Sequence, residues 1–415
     1  MFRELMTLDE AKQVIQRHFE PRTSSVETVP LLEAYDRVLA ENVVSALNIP
    51  PFNRSTVDGY AVKAEDTFGA DENKPIKLKI SGTVSIGKPP MTRVKQGMAA
   101  GIVTGAPMPD GADAVVMIEY AEAKKDDVYV YSTVTKDENV MMAGADLQKG
   151  ETVLKAGQLL GSREIGVLAA IGSAKAKVRA DPRVAVLSTG SEITEPGRKL
   201  ASGRIYDINA YSLSTAVLEN GGKPVYLGVL EDDIPGLQKI LRQALASADL
   251  VITSGGVSVG PKDVMPKVLN TLGKPGVIVC GIAIKPGKPV TVALIDRKLV
   301  FSLPGHPASA LLVFHLLVSP IIRQMAGRTL EKPPKVKAYA SMRIFAAKGR
   351  RTFITVKLKR DGSKRLVAEP VPTGLSGAIT TLAKADGYLE IAENKQFIDA
   401  DEEVTVQLFH DLRSI

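Results

Sequence analysis

The sequence predicts a multidomain protein of the α/β plus β class: a doubly wound parallel-sheet domain, an inserted small β domain, a helical linker domain and a C-terminal β-barrel-like domain. Three observations predict it. The chain has 415 residues, more than one hydrophobic core organises, so about three or more domains are expected. Apolar strand-like runs alternate with helical patterns from Arg183 to about Arg328. On either side of that stretch lie short strands split by Gly and Pro. The boundaries that follow are 1–47 with 147–180 for a discontinuous N-terminal and linker domain, 48–146 for the inserted β domain, 181–328 for the α/β domain and 329–415 for the last unit.

In chain order, Thr7 to Phe19 reads as an amphipathic helix with Leu8, Ala11, Val14, Ile15 and Phe19 on one face, capped by Thr7 with Glu10 completing a capping box. Leu31 to Leu39 reads as a second, shorter helix. Ile49 to Ala61 is a Pro-initiated loop ending in the turn pair Asp58-Gly59, where Asp58 is either an Asx-turn residue or a carboxylate presented on a rigid loop. Short strands from Ile76 to about Tyr131 form the inserted β domain. Within it, Val103 to Val116 packs Pro, Gly and Asp between two apolar runs, and Thr104 offers a hydroxyl either to the turn or to a ligand. A turn-rich loop from Asn139 to Gly150 contains Asp146. A helix over Ser162 to Ile171 and a basic linker over Lys175 to Pro182 come next.

The α/β stretch has strand candidates at Val184 to Leu187, Val225 to Val229, Asp249 to Ile252, Gly276 to Ile282 and Leu299 to Phe301. Helices fall near Asn209 to Glu219, Pro235 to Ser247, Val264 to Leu272 and Pro307 to Met325. Right-handed crossovers make such a sheet parallel, and its loops then gather at one edge, where open α/β sheets bind ligands. The loops are Ser188-Thr-Gly-Ser-Glu192, Leu230-Glu-Asp-Asp233, Ser254-Gly-Gly-Val-Ser-Val-Gly-Pro-Lys-Asp263 and Leu303-Pro-Gly-His-Pro-Ala-Ser309. The third organises the rest, because its small residues let bare backbone N–H groups approach an oxyanion and the helix behind it adds the positive end of its dipole. Asp263 is an N-cap or a ligand to a cation that accompanies phosphates. Glu192, Asp232 and Asp263 converge there, and carboxylates beside a phosphate cradle repel it unless a divalent cation such as Mg²⁺ lies between. Lys285 and Lys288 add anion contacts from a neighbouring turn. Together these point to a phosphate and metal site. Beyond Pro333, Arg360-Asp-Gly between Arg351 to Leu358 and Arg365 to Ala368 signals a hairpin, with further strands at Gly387 to Ala392 and Glu403 to Phe409.

Composition narrows the function classes. Apolar content of 45% and charged content of 24% are those of a soluble globular chain. The first residues lack the apolar core of a signal peptide, and no window approaches the apolar length that spans a bilayer, so a cytoplasmic protein without membrane contact is expected. Cys280 is the single cysteine; it excludes an intrachain disulfide and reads as a small buried hydrophobe. A net charge of +7 favours acidic partners, either nucleic acid or small phosphorylated anions. In the basic segment Arg343 to Arg365, however, Ile354, Val356 and Leu358 alternate with Thr355, Lys357 and Lys359, the period of a half-buried strand with a solvated basic face. Aromatic content is 5% with no Trp and no nucleic-acid-binding signature occurs, so no nucleic-acid partner is expected.

The motifs as a set resemble, over nearly the whole chain, the MoeA-type molybdopterin molybdenumtransferases, a family that includes the E domain of gephyrin. They are Pro50-Pro-Phe-x-x-Ser-x-x-Asp-Gly-Tyr-Ala61, Thr104-Gly-Ala-Pro-x-Pro-x-Gly-Ala-Asp-Ala-Val-Val116, Ser188-Thr-Gly-x-Glu192, Ile205-Tyr-Asp-x-Asn209, Ser254-Gly-Gly-Val-Ser-Val-Gly-x-x-Asp263, Lys285-Pro-Gly-Lys-Pro289 and Leu303-Pro-Gly-x-Pro307. The resemblance implies that the α/β domain is of the molybdopterin-binding type. It further implies a homodimer that inserts molybdate or tungstate into adenylylated molybdopterin and releases AMP with Mg²⁺. Asp58, Thr104 and Asp146 would act at the metal-insertion end. Glu192, Asp232 and Asp263 would hold Mg²⁺ and face the adenylate, with Asp232 and Asp263 also catalytic. Ser188, Thr189, Gly190, Ser254, Gly255, Gly256, Ser258, Lys285, Lys288, Pro304 and Pro307 would line the substrate. Active sites shared between subunits, and contact with a molybdopterin adenylyltransferase, are implied partners. A non-catalytic molybdopterin-binding scaffold and a molybdopterin adenylyltransferase are the competing readings.

The chain departs from the family pattern in a few places. Asn53 and Arg54 stand where many members carry Asp-Asn. The usual arginine-rich run is Met141-Met142-Ala143, Ala145 replaces a Glu before Asp146, and His306 replaces the common Asn in the Leu-Pro-Gly motif. Loss of those arginines removes oxyanion contacts and opens the choice between molybdate and tungstate.

Overall fold

Alternation of side chains across a pleated strand decides where each apolar residue goes, and in this chain several strands send apolar residues to both faces. The computed structural model describes residues 5–231, 233–256, 264–329, 334–371 and 383–409. By backbone contacts the chain forms two units. One comprises residues 28–35 and 39–177, the other residues 1–27, 36–38 and 178–415.

The first unit centres on a six-stranded sheet in the order Ala114–Met117, Gly59–Val62, Met98–Ile102, Ile76–Val84, Asp127–Val130 and Ala121–Lys124. All neighbours run antiparallel except Ile76–Val84 with Met98–Ile102. Consecutive residues diverge to opposite faces: Val62 and Val116 join Leu78, Val128 and Val130 in one core, whereas Ala61 and Val115 join Val84 and Ile102 in another. The segment read as a second helix is only a 3-10 turn, Leu31–Ala34. Its propagation stops at Asp36, which lies in the left-handed region with φ 60°. The basic linker contains a strand, Lys175–Arg179.

In the second unit the six-stranded α/β sheet has the order Lys223–Leu230, Arg183–Thr189, Leu250–Ser254, Lys298–Leu303, Thr291–Ile295 and Pro275–Cys280. Its first four strands are parallel, and the last two pair antiparallel. Thr291–Ile295 is a strand that sequence reading passed over. It forms a hairpin with Lys298–Leu303 through Asp296 and Arg297, both at positive φ (47° and 69°), a turn that Asp-Arg does not signal as Asn-Gly would. Val184 and Val186 pack to one side with Leu213, Val217, Phe314 and Ile322; Ala185 and Leu187 pack to the other with Leu237, Leu241, Val268 and Leu269. The sheet is therefore buried on both faces. The first helix, Leu8–His18, carries the expected capping box, with Glu10 N–H donating to Thr7 Oγ1 at 3.2 Å and Thr7 N–H donating to Glu10 Oε2 at 2.8 Å. Its Leu8, Ala11 and Ile15 lie in the α/β core, so this helix packs with the α/β sheet, and contact clustering groups it with that unit.

Two sequence expectations are corrected here. Cys280 is exposed, because it ends its strand and projects from the last, edge position of the sheet. The rod Pro307–Met325, with 19 residues and mean hydropathy 1.5, is long and apolar enough to cross a membrane. His315 interrupts the apolar run without lowering the window average enough to exclude it. In this structure 56% of that window is buried, with Phe314, Val318 and Ile322 in the α/β core.

The C-terminal strands Arg351–Arg360, Leu366–Pro370, Lys335–Ala340, Glu403–Leu408 and Gly387–Ile391 pair in that order, and Gly387–Ile391 pairs back onto Arg351–Arg360. The barrel-like expectation is met, and closure removes the sheet edges. The Asp361 turn is held by its own carboxylate, which accepts from Ser363 N–H at 2.8 Å and Arg365 N–H at 2.9 Å. Val356 and Leu358 are buried in the barrel core while Lys357 and Lys359 face solvent.

Candidate active site

At the C-terminal edge of the α/β sheet the loops are tied together by buried polar groups. Ser188 Oγ donates to Asp207 Oδ1 at 2.9 Å, and the same oxygen caps the helix Asn209–Glu219 by accepting Ala210 N–H at 3.0 Å. Tyr226 O–H donates to Asp207 Oδ2 at 3.4 Å; burial, then the neighbouring Asp207 charge, push the phenol well above its ordinary value. Asn209 Nδ2 donates to Ser254 Oγ and to the Gly305 carbonyl, both at 2.7 Å. It thereby holds the loop after Leu250–Ser254 against the loop after Lys298–Leu303. Ser254 Oγ in turn reaches the Pro304 carbonyl at 3.4 Å, and Pro307 opens the following helix.

Gly255 is required by this crowding. Its φ is +94°, and a Cβ there would lie 2.2 Å from the Thr189 carbonyl oxygen. Three buried atoms at this edge have no hydrogen-bond partner among the described residues, Thr189 Oγ1, Thr194 Oγ1 and Asn209 Oδ1. A native interior seldom leaves such groups unpaired. Beside them Gly190, Thr194, Arg198, Arg204, Leu230 and Glu231 line a cleft of about 260 Å³. A larger cleft of about 930 Å³, lined by residues such as Arg17, Arg22, Asp249 and Arg297, lies at the opposite edge of the sheet, away from these loops.

The predicted residues of the α/β stretch thus separate into three groups. Ser188, Thr189, Gly190, Glu192, Ser254, Gly255, Gly256, Pro304 and Pro307 stand at this edge, on strand ends, the loops after them and a helix start, with Glu192 exposed beside Gly190. Lys285 and Lys288 lie on the turn after Pro275–Cys280, a strand that runs in the same direction as the parallel set. Asp232, Ser258 and Asp263 lie outside the described residues, and among the described residues no cluster of three His, Cys, Asp or Glu is placed to hold a metal. Asp207 and Asn209 were not singled out by sequence reasoning, although both stand in the quoted motif Ile205-Tyr-Asp-x-Asn209. A polar pair before a helical pattern reads first as a cap.

In the other unit three loops meet. Thr104 donates twice to Asp58 Oδ1, from its backbone N–H at 2.6 Å and its hydroxyl at 2.9 Å, and these bonds hold the Asp58 carboxyl below the ordinary carboxylate range. Gly105 N–H donates to the Ser55 carbonyl at 2.8 Å. Ser55 pairs with Val140 and Arg54 with Met141 in a short antiparallel ladder. Asp146 N–H donates to the Ile49 carbonyl at 3.0 Å and Ala143 N–H to Asn53 Oδ1 at 2.8 Å. Asp58 and Thr104 are therefore in contact, and exposed Asp146 stands on the loop that pairs with Ile49.

A doubly wound domain whose glycine-rich loops gather at one sheet edge, in a chain that also carries an inserted β sheet and a closed C-terminal barrel, defines a multidomain α/β protein of the class that binds ligands at the C-terminal ends of parallel strands. Three family descriptions match consecutively: MoeA N-terminal region (domain I and II) over residues 6–172, probable molybdopterin binding domain over 185–324, and MoeA C-terminal region (domain IV) over 337–409. The chain is 33% identical over 410 residues to the molybdopterin molybdenumtransferase of Haemophilus influenzae, covering 98% of this chain and 100% of that one. It is 34% identical over 371 residues to molybdopterin molybdenumtransferase 2 of Mycobacterium tuberculosis, covering 88% and 91%. A crystal structure of a molybdopterin biosynthesis MoeA protein from Pyrococcus horikosii superimposes with TM-score 0.83 at 40% identity, covering 98% of this chain and 100% of that one. The chain belongs to the MoeA family and, with it, to molybdenum cofactor biosynthesis.

Proposed function

We propose that this chain is a molybdopterin molybdenumtransferase, which inserts molybdate or tungstate into adenylylated molybdopterin and releases AMP. The observation that carries the reading is the pair of orphaned buried atoms, Thr189 Oγ1 and Asn209 Oδ1, beside the Gly255 backbone. A hydroxyl donor suits a phosphate oxygen, and an amide oxygen suits an N–H or O–H of the same ligand. Ser188, Gly190, Ser254, Gly256, Ser258, Pro304 and Pro307 complete that edge in this reading, and Lys285 and Lys288 meet the anion. Glu192, Asp232 and Asp263 would hold Mg²⁺, which when bound neutralises charge on the pyrophosphate. The pterin contributes its own two sulfurs, which suits a chain with one cysteine. Asp58, held ionised by Thr104, accepts hydrogen bonds at the metal-insertion end together with Asp146.

From the family resemblance we also propose a cytoplasmic homodimer whose active sites are shared between subunits, with contact to a molybdopterin adenylyltransferase. Complementation tests the shared site. Asp58→Asn and Asp263→Asn subunits, each inactive alone, are unfolded, mixed equally and refolded. Random pairing makes half the dimers mixed with one intact site of two, so AMP release recovers to about a quarter of wild type. A mixture that stays inactive despite subunit exchange rejects the shared site. Wild-type protein that releases no AMP from adenylylated molybdopterin with either oxyanion rejects the reaction itself.

A further inference from the structure

We infer that Arg54 is the oxyanion-binding residue of the Asp58 loop cluster, supplying from one strand of a short ladder the positive charge that Met141 and Met142 do not supply from the other. The inference rests on the reading above that this cluster receives a tetrahedral oxyanion. The segments that meet there, 48–58, 103–112 and 139–150, contain Asp58, Asp110 and Asp146 as acids and only Arg54 and Lys149 as bases. A doubly charged oxyanion placed among those carboxylates needs a cation beside it.

The surroundings favour Arg54 over Lys149. Arg54 is half-buried, at the point where the three segments converge: it pairs with Met141, bridges to Pro107, and stands four residues before Asp58. Lys149 is exposed, beyond the buried Leu147 that ends the loop. The guanidinium has five N–H donors, yet its one described bond runs from Nη2 to Met141 Sδ at 3.3 Å. A thioether is a weak acceptor, so the other donors of this half-buried fork remain open to a ligand or to solvent. Met141 packs one side of the group and leaves its donors for a ligand with several oxygens. A planar fork also matches such oxygens in pairs, as an ammonium does not. The neighbouring departures fit the same arrangement: Asn53 Oδ1 accepts from Ala143 N–H, so the loop without arginines is fastened to the residue next to Arg54.

Charge transposition tests this. Wild type, Arg54→Met, Arg54→Lys and the double variant Arg54→Met with Met141→Arg are titrated with molybdate and with tungstate by calorimetry at two salt concentrations, and thermal midpoints are recorded. Arg54→Met should weaken oxyanion binding at least ~10-fold and flatten its salt dependence. Arg54→Lys should fall between, and the double variant, which moves the guanidinium to the facing position of the ladder, should recover most of the loss. An unchanged dissociation constant in Arg54→Met overturns the inference. So does a loss that neither Lys nor the transposed arginine relieves and that tracks a lowered thermal midpoint, since Arg54 would then be holding the loops. These titrations need no adenylylated substrate, so failure of AMP release in wild type would refute the proposed reaction without deciding the role of Arg54.

Discussion

Replacing Asn209 by Ala tests whether the buried network sets the loop geometry at the sheet edge. The side chain makes two 2.7 Å bonds, to Ser254 Oγ and to the Gly305 carbonyl. Each contributes about 1 kcal/mol net, so the loops should open more easily by about 2 kcal/mol. At 1.4 kcal/mol per factor of ten, that is roughly a 30-fold rise in the population of the open state. Hydrogen–deuterium exchange reads it locally, which matters in a multidomain chain whose global unfolding is not two-state. The Gly255 amide, bonded to the Leu303 carbonyl at 3.3 Å, reports directly, and peptides covering 250–256 should exchange about 30-fold faster while those from the C-terminal barrel do not change. Exchange within about threefold of wild type would refute the reasoning. If AMP release collapsed in that same variant, Asn209 would be acting on the ligand through Oδ1 instead of on the loops.

Gly255→Ala puts a methyl group 2.2 Å from the Thr189 carbonyl at φ +94°, so the loop must move; nucleotide affinity measured by calorimetry should fall at least ~10-fold with the barrel intact, and wild-type affinity would refute the crowding argument. Thr104→Ala removes one of the two donors that depress the Asp58 carboxyl. A depressed carboxyl contributes above its unfolded value and loses that contribution as pH falls through the folded one, so the acid limb of the pH–rate profile should move to higher pH; an unmoved limb would show that Asp58 does not govern it. Met141→Arg with Arg54 retained sets like charges opposite each other in the antiparallel pair, and should lower the thermal midpoint at low salt by an amount that added salt or molybdate reverses; an unaltered midpoint would place the two guanidiniums apart.

Legibility followed the range of the interactions involved. Periodicity is local, so Asn209–Glu219 and the alternation of the parallel strands with helices in the α/β domain could be read directly, and the gathering of the loops at one edge followed from parallel strands pointing one way. The strand Thr291–Ile295 was hidden because its turn uses Asp296 and Arg297 at positive φ, a conformation these residue types do not announce. Asp207 and Asn209 gain their meaning from Ser188, Ser254 and Gly305, residues 19, 45 and 96 positions away; no local pattern records such partners. The contact between Asp58 and Thr104 spans 46 positions and was anticipated only through the family motifs. The meeting of Arg54 with Met141 joins two departures from those motifs, which sequence comparison counts separately and the ladder makes one.

The turn that carries Lys285 and Lys288 is gripped from two directions. Met6 bridges Ile282 and its carbonyl accepts Ala283 N–H at 2.7 Å, while Ile284–Lys285 runs as an added strand along Arg351–Thr352 of the barrel. The lysine turn that follows the α/β strand Pro275–Cys280 is therefore joined to the barrel by backbone pairing. An excised 181–328 segment would keep its sheet but lose both clasps, leaving the lysines on an untethered loop. A swap of the barrel of this chain for an unrelated one would therefore remove the strand pairing that holds Ile284–Lys285, and would reach the lysine turn at a distance from the graft.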